Sequence, residues 1–264
     1  MRIPFTKAHG ARNDFVLTWK NEAPDADLRA AARAICDRNT GVGADGWILV
    51  TRMQGDTNGS IQLYNSDGSD SEISGNGTRC AAALLLEDGV SAEEVRIATG
   101  AGVKHIRVLS RNGTHFNFEM NMGPASVADG DLRTQVDELR EATIVNVGNP
   151  QCALFVDDFD FDWREAGKRV EWHSRFPHRT NVSFVQVVDR HNLNVRFWER
   201  GAGETQSSGT GSTGAAAAAV LRGLAESPIT VHTAAGPLGI RLDKGNYYLT
   251  GPAEITVRGE FYYV

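Results

Sequence analysis

The sequence predicts an α/β (α+β) protein made of two homologous halves, and three observations carry that prediction. Residues 61–83 (IQLYNSDGSDSEISGNGTRCAAA) align without a gap onto residues 195–217 (VRFWERGAGETQSSGTGSTGAAA). The alignment places Ser74 on Ser208, Gly75 on Gly209, Gly77 on Gly211 and Ala81–Ala83 on Ala215–Ala217. Each copy reads as a strand, a polar glycine-rich loop and a small-residue helix. A repeat spaced by about half the chain points to two related domains rather than a solenoid of short units. The run Ala215–Ala219 is small on every side, which predicts a central helix buried all round and wrapped closely by a sheet.

The elements follow in order. Ile3–Trp19 carries β-type residues on both sides of the polar loop HGARND and reads as two strands. Leu28, Ala31, Ala32 and Ile35 recur at helical spacing, predicting an amphipathic helix over Asp27–Arg38. The loop TGVGADG leads into the strand WILV, Ile61–Asn65 is a strand, and Gly77–Glu87 is a helix that stops at Gly89. Strands follow near Val95–Ala98, Lys104–Leu109 and His115–Asn121, and the NMGP turn at 121–124 marks the passage to the second half. That half repeats the order: strands at Thr143–Val147 and Ala153–Val156 around the GNP turn, a helix over Trp163–Trp172, and strands over Asn181–Val188 and Leu193–Trp198. A helix over Gly211–Arg222 comes next, then short strands near Thr230–Thr233, Gly239–Leu242 and Tyr247–Thr250. Glu254–Tyr263 is strand-like and, after Pro252, is expected to return to the first domain. The domain boundaries expected are therefore 1–120 joined by 253–264, and 121–252.

Composition narrows the function classes. With 41% hydrophobic and 23% charged residues the chain is that of an ordinary soluble globular protein. A net charge of −6 without a basic run argues against a nucleic-acid surface. The longest apolar run, around Ala215–Val220, is far short of a membrane span, and MRIPFTKAHGARNDF has no secretory pattern. Cys36, Cys80 and Cys152 form neither a CxxC motif nor an even set, as in a cytoplasmic protein with reduced thiols. The histidines lack metal-ligand spacing, and GVGADG lacks the Lys-Ser/Thr ending of a phosphate loop, so neither a metal nor a nucleotide cofactor is expected. The expected partner is a small amino acid, with a homodimer left open.

The duplicated loops hold the chemistry. Glycines let each loop turn and bring backbone close to a ligand. Each helix start then aims unpaired N–H groups and the positive dipole end outward, so two starts facing each other would hold one small anion from both sides.

The phrases HGARNDF (9–15), GVGADG (41–46), YNSDGS (64–69), SGNGTRCAA (74–82), NVGNPQC (146–152), RFPHRTNVSF (175–184) and ERGAGETQSSGTGSTGAA (199–216) stand in this order along nearly the whole chain. Together they resemble the diaminopimelate epimerase family, a cofactor-independent group related to proline racemase and to phenazine-biosynthesis isomerases. The resemblance implies two domains, each a mixed curled sheet around a central helix, with the active site in the cleft between them. It implies a pair of cysteines, one at each helix start, on opposite faces of the substrate α-carbon; one removes the α-proton and the other returns it. Helix termini lower thiol pKa values, which suits cysteine to the task, and no pyridoxal phosphate takes part.

The chain departs from that pattern at the reacting positions. The two cysteines are Ser74 and Ser208, the family's GNPH histidine is Gln151, and Arg12 stands where glycine is usual. The remaining site is implied residue by residue. Asn65, Asn149, Asn181 and Arg200 hold the distal amino-acid end, and Gly75, Asn76, Gly209 and Thr210 present donors to the reacting carboxylate. Asn13 completes the pocket and Glu199 meets a substrate ammonium. A serine hydroxyl is a much weaker acid than a thiol, and a helix dipole supplies at most about 2 kcal/mol, roughly 1.5 pKa units. Three functions are therefore weighed: a diaminopimelate epimerase of lysine and peptidoglycan precursor synthesis; a divergent isomerase or dehydratase with Glu199 as its base; and a non-catalytic amino-acid binder.

Overall fold

The computed structural model describes residues 1–128, 130–137 and 140–263, the side chains of residues 137 and 140 excepted. The chain divides into two compact units, Met1–Met120 with Gly251–Val264, and Asn121–Thr250. In chain order the first contains β1 (Arg2–Gly10), β2 (Asn13–Trp19), α1 (Leu28–Cys36), β3 (Gly46–Arg52), β4 (Gly59–Asn65), β5 (Asp70–Ser71), α2 (Gly75–Glu87), β6 (Glu94–Thr99), β7 (Gly102–Asn112) and β8 (His115–Gly123), whose end from Asn121 on falls in the second unit. The second contains β9 (Thr134–Asp137), β10 (Arg140–Asn146), β11 (Pro150–Phe155), α3 (Trp163–Glu171), β12 (Asn181–Asp189), β13 (Asn192–Glu199), β14 (Gly203–Thr205), α4 (Gly209–Leu221), β15 (Ile229–Thr233) and β16 (Gly236–Asp243). β17 (Asn246–Tyr262) begins in the second unit and ends in the first.

In the first unit β1 pairs antiparallel with β2, β2 parallel with β3, β3 antiparallel with β4, and β4 parallel with β6. The ladder continues antiparallel through β7 and β8; β8 pairs with β17 and β17 with β1, so the strands close into a ring. In the second unit β10 to β16 repeat the same alternation of parallel and antiparallel pairs. The duplicated hairpins share one register: Tyr64 pairs with Asp70 and Leu63 with Ser71, while Trp198 pairs with Glu204 and Phe197 with Thr205.

Small residues explain why each sheet wraps a helix. Every residue of α2 from Gly75 to Leu86 is buried, and Ala215–Ala219 of α4 are fully buried. A Cβ on Gly77 would lie 2.8 Å from Ile48 Cδ1, and one on Gly214 would lie 2.7 Å from Gln151 Cγ. α1 and α3 cover the outer faces, α1 on Ile3, Val16, Trp47 and Leu49, α3 on Cys152, Leu154, Val182 and Phe184. No helix among the described residues is long and apolar enough to cross a membrane.

Three local expectations change. Both central helices start two residues earlier than the pattern suggests, at Gly75 and Gly209, because a capping serine precedes each. The strands expected at Tyr247–Thr250 and Glu254–Tyr263 are one strand, β17, since the φ of Pro252 suits extended backbone. The segments β5, β9 and β14 carry too few residues to show a period and went unpredicted.

The hairpin between β1 and β2 turns at Ala11 and Arg12, with φ of 50° and 61°, while Gly10 pairs with Asn13. Two positive φ angles in a two-residue loop belong to a type I′ turn. The loop thus keeps a glycine's geometry although Arg12 occupies it, at a steric cost of about 1–2 kcal/mol for an L side chain. Arg12→Gly relieves that strain, less the added freedom of the unfolded chain. It is expected to raise the urea unfolding free energy by about 0.5–1 kcal/mol. A lower value would show that Arg12 makes stabilising contacts.

Candidate active site

The two helix starts have one geometry. Ser74 (φ −128°, ψ 123°) caps α2 and its Oγ accepts from Gly77 N–H at 3.1 Å. Ser208 (φ −137°, ψ 122°) caps α4 and accepts from Gly211 N–H at 3.0 Å. The first helical bonds close from Thr78 N–H to the Ser74 carbonyl and from Ser212 N–H to the Ser208 carbonyl. Gly75 and Asn76, and likewise Gly209 and Thr210, therefore present main-chain N–H groups without helical partners. Such a pair of donors at a dipole's positive end binds a carboxylate.

In the first unit the structure brings Asn13 and Asn76 to this start. Asn76 Nδ2 donates to Asn13 Oδ1 at 3.1 Å, and Asn13 Nδ2 donates to Asp45 Oδ2 at 2.6 Å. Asp45 and Asp14 share Arg38, and Lys7 lies 3.0 Å from Asp14. Burial raises the Asp14 carboxyl, but hydrogen bonds and charge from Arg38 and Lys7 outweigh it and hold it below the ordinary range. The GVGADG loop thus aims the Asn13 amide. Asn65 stands apart: its side chain donates to Ser69 Oγ at 2.9 Å within the turn after β4.

In the second unit the expected residues form one network. Asn149 Nδ2 donates to Thr210 Oγ1 at 3.4 Å, and Gln151 Nε2 donates to Asn149 Oδ1 at 2.8 Å. Between them the Pro150 carbonyl accepts from Asn181 Nδ2 at 3.0 Å, and Asn181 Oδ1 accepts the Arg200 N–H at 3.0 Å. Arg200 also donates to the His178 carbonyl, and Glu199 Oε1 accepts from Thr205 Oγ1 at 2.6 Å. Gln151 is 1% exposed, and among the described residues its Oε1 has no hydrogen-bond partner; Ser207 Oγ and Ser212 Oγ, beside the start of α4, have none there either. Gln151 therefore supports Asn149 from within the core.

Two residues escaped the sequence reading. Glu171 ends α3 and is 4% exposed; its carboxylate accepts from Trp198 Nε1 at 2.8 Å and Gly201 N–H at 3.0 Å, with Arg179 at 3.3 Å. It thus grips the chain on both sides of Glu199 and Arg200, and no local motif signals it. Arg79 is the other, fully buried on α2. The cysteines take no part in either network. All three are free and buried, and burial pushes each thiol up to about 12. Among the described residues no cluster of His, Cys, Asp or Glu could hold a metal ion.

The family model described as diaminopimelate epimerase matches residues 5–128 and 143–256. The chain belongs to the diaminopimelate epimerase family. It is 39% identical over 278 residues to the diaminopimelate epimerase of Pelotomaculum thermopropionicum, covering 98% of this chain and 99% of that one. It is 40% identical over 272 residues to that of Synechococcus elongatus, covering 96% of each. The same fold occurs in a hydroxyproline epimerase from Agrobacterium vitis with bound trans-4-OH-L-proline (TM-score 0.75, 15% identity, 98% and 92% covered). It occurs also in a Bacillus anthracis phenazine biosynthesis protein of the PhzF family (TM-score 0.75, 13% identity, 98% and 99% covered). Full-length relatives in the family favour an epimerase over the dehydratase and binder readings.

Proposed function

We propose that the protein is a cofactor-independent epimerase interconverting LL- and meso-diaminopimelate, a step in lysine and peptidoglycan precursor synthesis. The observation that supports it is the twin geometry of the two serine-capped helix starts, set in a chain of this family. In this reading both starts act on one α-carbon from opposite faces. The N–H groups of Gly75, Asn76, Gly209 and Thr210 take the reacting carboxylate and the charge that builds on it as the α-proton leaves. Positions 74 and 208 take up and return that proton, and with hydroxyls there turnover is slow. Asn65, Asn149, Asn181 and Arg200 hold the distal end, Asn13 completes the pocket, Gln151 supports Asn149, and Glu199 meets an ammonium. Its three free, buried cysteines support a location in the reducing cytoplasm.

Incubation with LL-diaminopimelate in heavy water, followed by proton NMR, tests the reading. The α-proton signal is expected to fall as the meso form appears. A product of another bond pattern, or binding without exchange, would overturn it. Arg200→Ala is expected to weaken diaminopimelate binding by about 1.5–3 kcal/mol, the usual loss for a charged hydrogen bond. Equal calorimetric affinity before and after that change removes Arg200 from the site.

A further inference from the structure

Arg79, in the first unit, is a fully buried charge that the proposed reaction does not use. Arg79 is 0% exposed, and its guanidinium donates to three neutral acceptors. Nε donates to the Pro252 carbonyl at 3.1 Å, Nη1 to the Gly75 carbonyl at 3.3 Å and Nη2 to Asn76 Oδ1 at 2.6 Å. Among the described residues none of its partners is a carboxylate. A Cβ on Gly10 would meet Arg79 and Asn76, and one on Gly77 would meet Ile48 and Phe15. Strand register puts Ala8 and Leu17 on that same uncharged face.

The titratable groups nearby are engaged elsewhere. Asp14 and Asp45 meet Arg38, and Glu254 lies between His9 and His115. Cys80, next to Arg79 on the helix, stays a neutral thiol because burial pushes it up to about 12. Burial also lowers the guanidinium, to about 10, which leaves it charged at neutral pH. A buried cation without a counter-charge is costly. Here it reinforces the positive end of α2.

The second unit makes the same contact without the charge. The offset that superposes Ser74 on Ser208 places Arg79 on Thr213 and Gly75 on Gly209. Thr213 Oγ1 donates to the Gly209 carbonyl at 2.8 Å, where Arg79 donates to that of Gly75. One carbonyl is held by a cation, its counterpart by a hydroxyl.

We propose that Arg79 is a positioning residue that makes the start of α2 electrostatically stronger than the start of α4, so that an acid at position 74 ionises more readily than one at position 208. It acts through Gly75 and Asn76. Asn76 is held at both ends of its amide, by Arg79 on Oδ1 and by Asn13 on Nδ2, so its main-chain donor keeps one direction. The consequence for catalysis rests on the epimerase reading; the ionisation itself does not.

Thiol reporters read the effect without substrate, so its outcome is separate from that of the exchange assay. Ser74→Cys and Ser208→Cys are made singly, and the pH dependence of alkylation by iodoacetamide is followed at each position by mass spectrometry. The thiol at position 74 is expected to ionise about one pH unit below that at position 208. Adding Arg79→Met to Ser74→Cys should raise its pKa by about one unit, and Arg79→Lys should restore part of the shift. Circular dichroism reports whether each variant folds. An ionisation at position 74 equal to or above that at 208, or no change on Arg79→Met in a folded protein, overturns the proposal. If Arg79→Met does not fold, the comparison of the two single cysteine variants decides, since both keep Arg79.

Discussion

Replacing Ser74 and Ser208 together by cysteine raises α-proton exchange on diaminopimelate by at least about 100-fold, the lower range of what a competent general base contributes. The reason is acidity. A free thiol has a pKa near 8.5 and a helix N-terminus lowers it further, whereas the dipole's roughly 1.5 units leave a serine hydroxyl overwhelmingly protonated at neutral pH. Each single change supplies a base on one face of the α-carbon, so efficient inversion needs both. The double variant carries a structural cost, because each serine Oγ caps its helix through Gly77 or Gly211. Losing a serine cap costs about 1 kcal/mol, so rates are compared well below the lowered melting temperature. Proton NMR in heavy water measures both proteins. If the serine protein already epimerises as fast as the double variant, hydroxyls suffice here and the account of serine as a weak base fails.

Glu171→Ala is expected to lower the unfolding free energy by about 1–3 kcal/mol, because it takes the acceptor from two part-buried donors, the Trp198 indole and the Gly201 amide, and removes the partner of Arg179. Glu171→Gln keeps one acceptor and should lose about half as much. The chain at Glu199 and Arg200 loses its clamp with the carboxylate, so binding of diaminopimelate should weaken in both variants. Urea unfolding and calorimetry read the two effects. A loss under about 1 kcal/mol would mean that water replaces the carboxylate at little cost.

Much of the candidate site was legible because its signals are local. A serine followed three residues later by a glycine amide specifies a cap wherever the chain turns into a helix, and Ser74 and Ser208 both do so. The polar residues of HGARNDF, GNPQ and RTNV were readable for the same reason: each is placed by a short turn next to a strand end. Arg79 was not legible, since its meaning depends on the Pro252 carbonyl, 173 positions away along the chain. Glu171 sits at the end of an amphipathic helix, where a carboxylate is ordinarily solvated; only the indole of Trp198 and the turn at Gly201 make it a buried hub.

The sequence by itself determined the fold class, the family and the order of the longer elements, because alternation, helical spacing, caps and a gapless duplication survive without knowledge of the packing. Tertiary structure alone decided which charges are buried and what they face. Ring closure by β17 brings Pro252 to Arg79, and burial removes the water that would otherwise screen the guanidinium. Two helix starts that read alike in the sequence are therefore unequal in the folded protein: one carries a cation behind it, the other a hydroxyl.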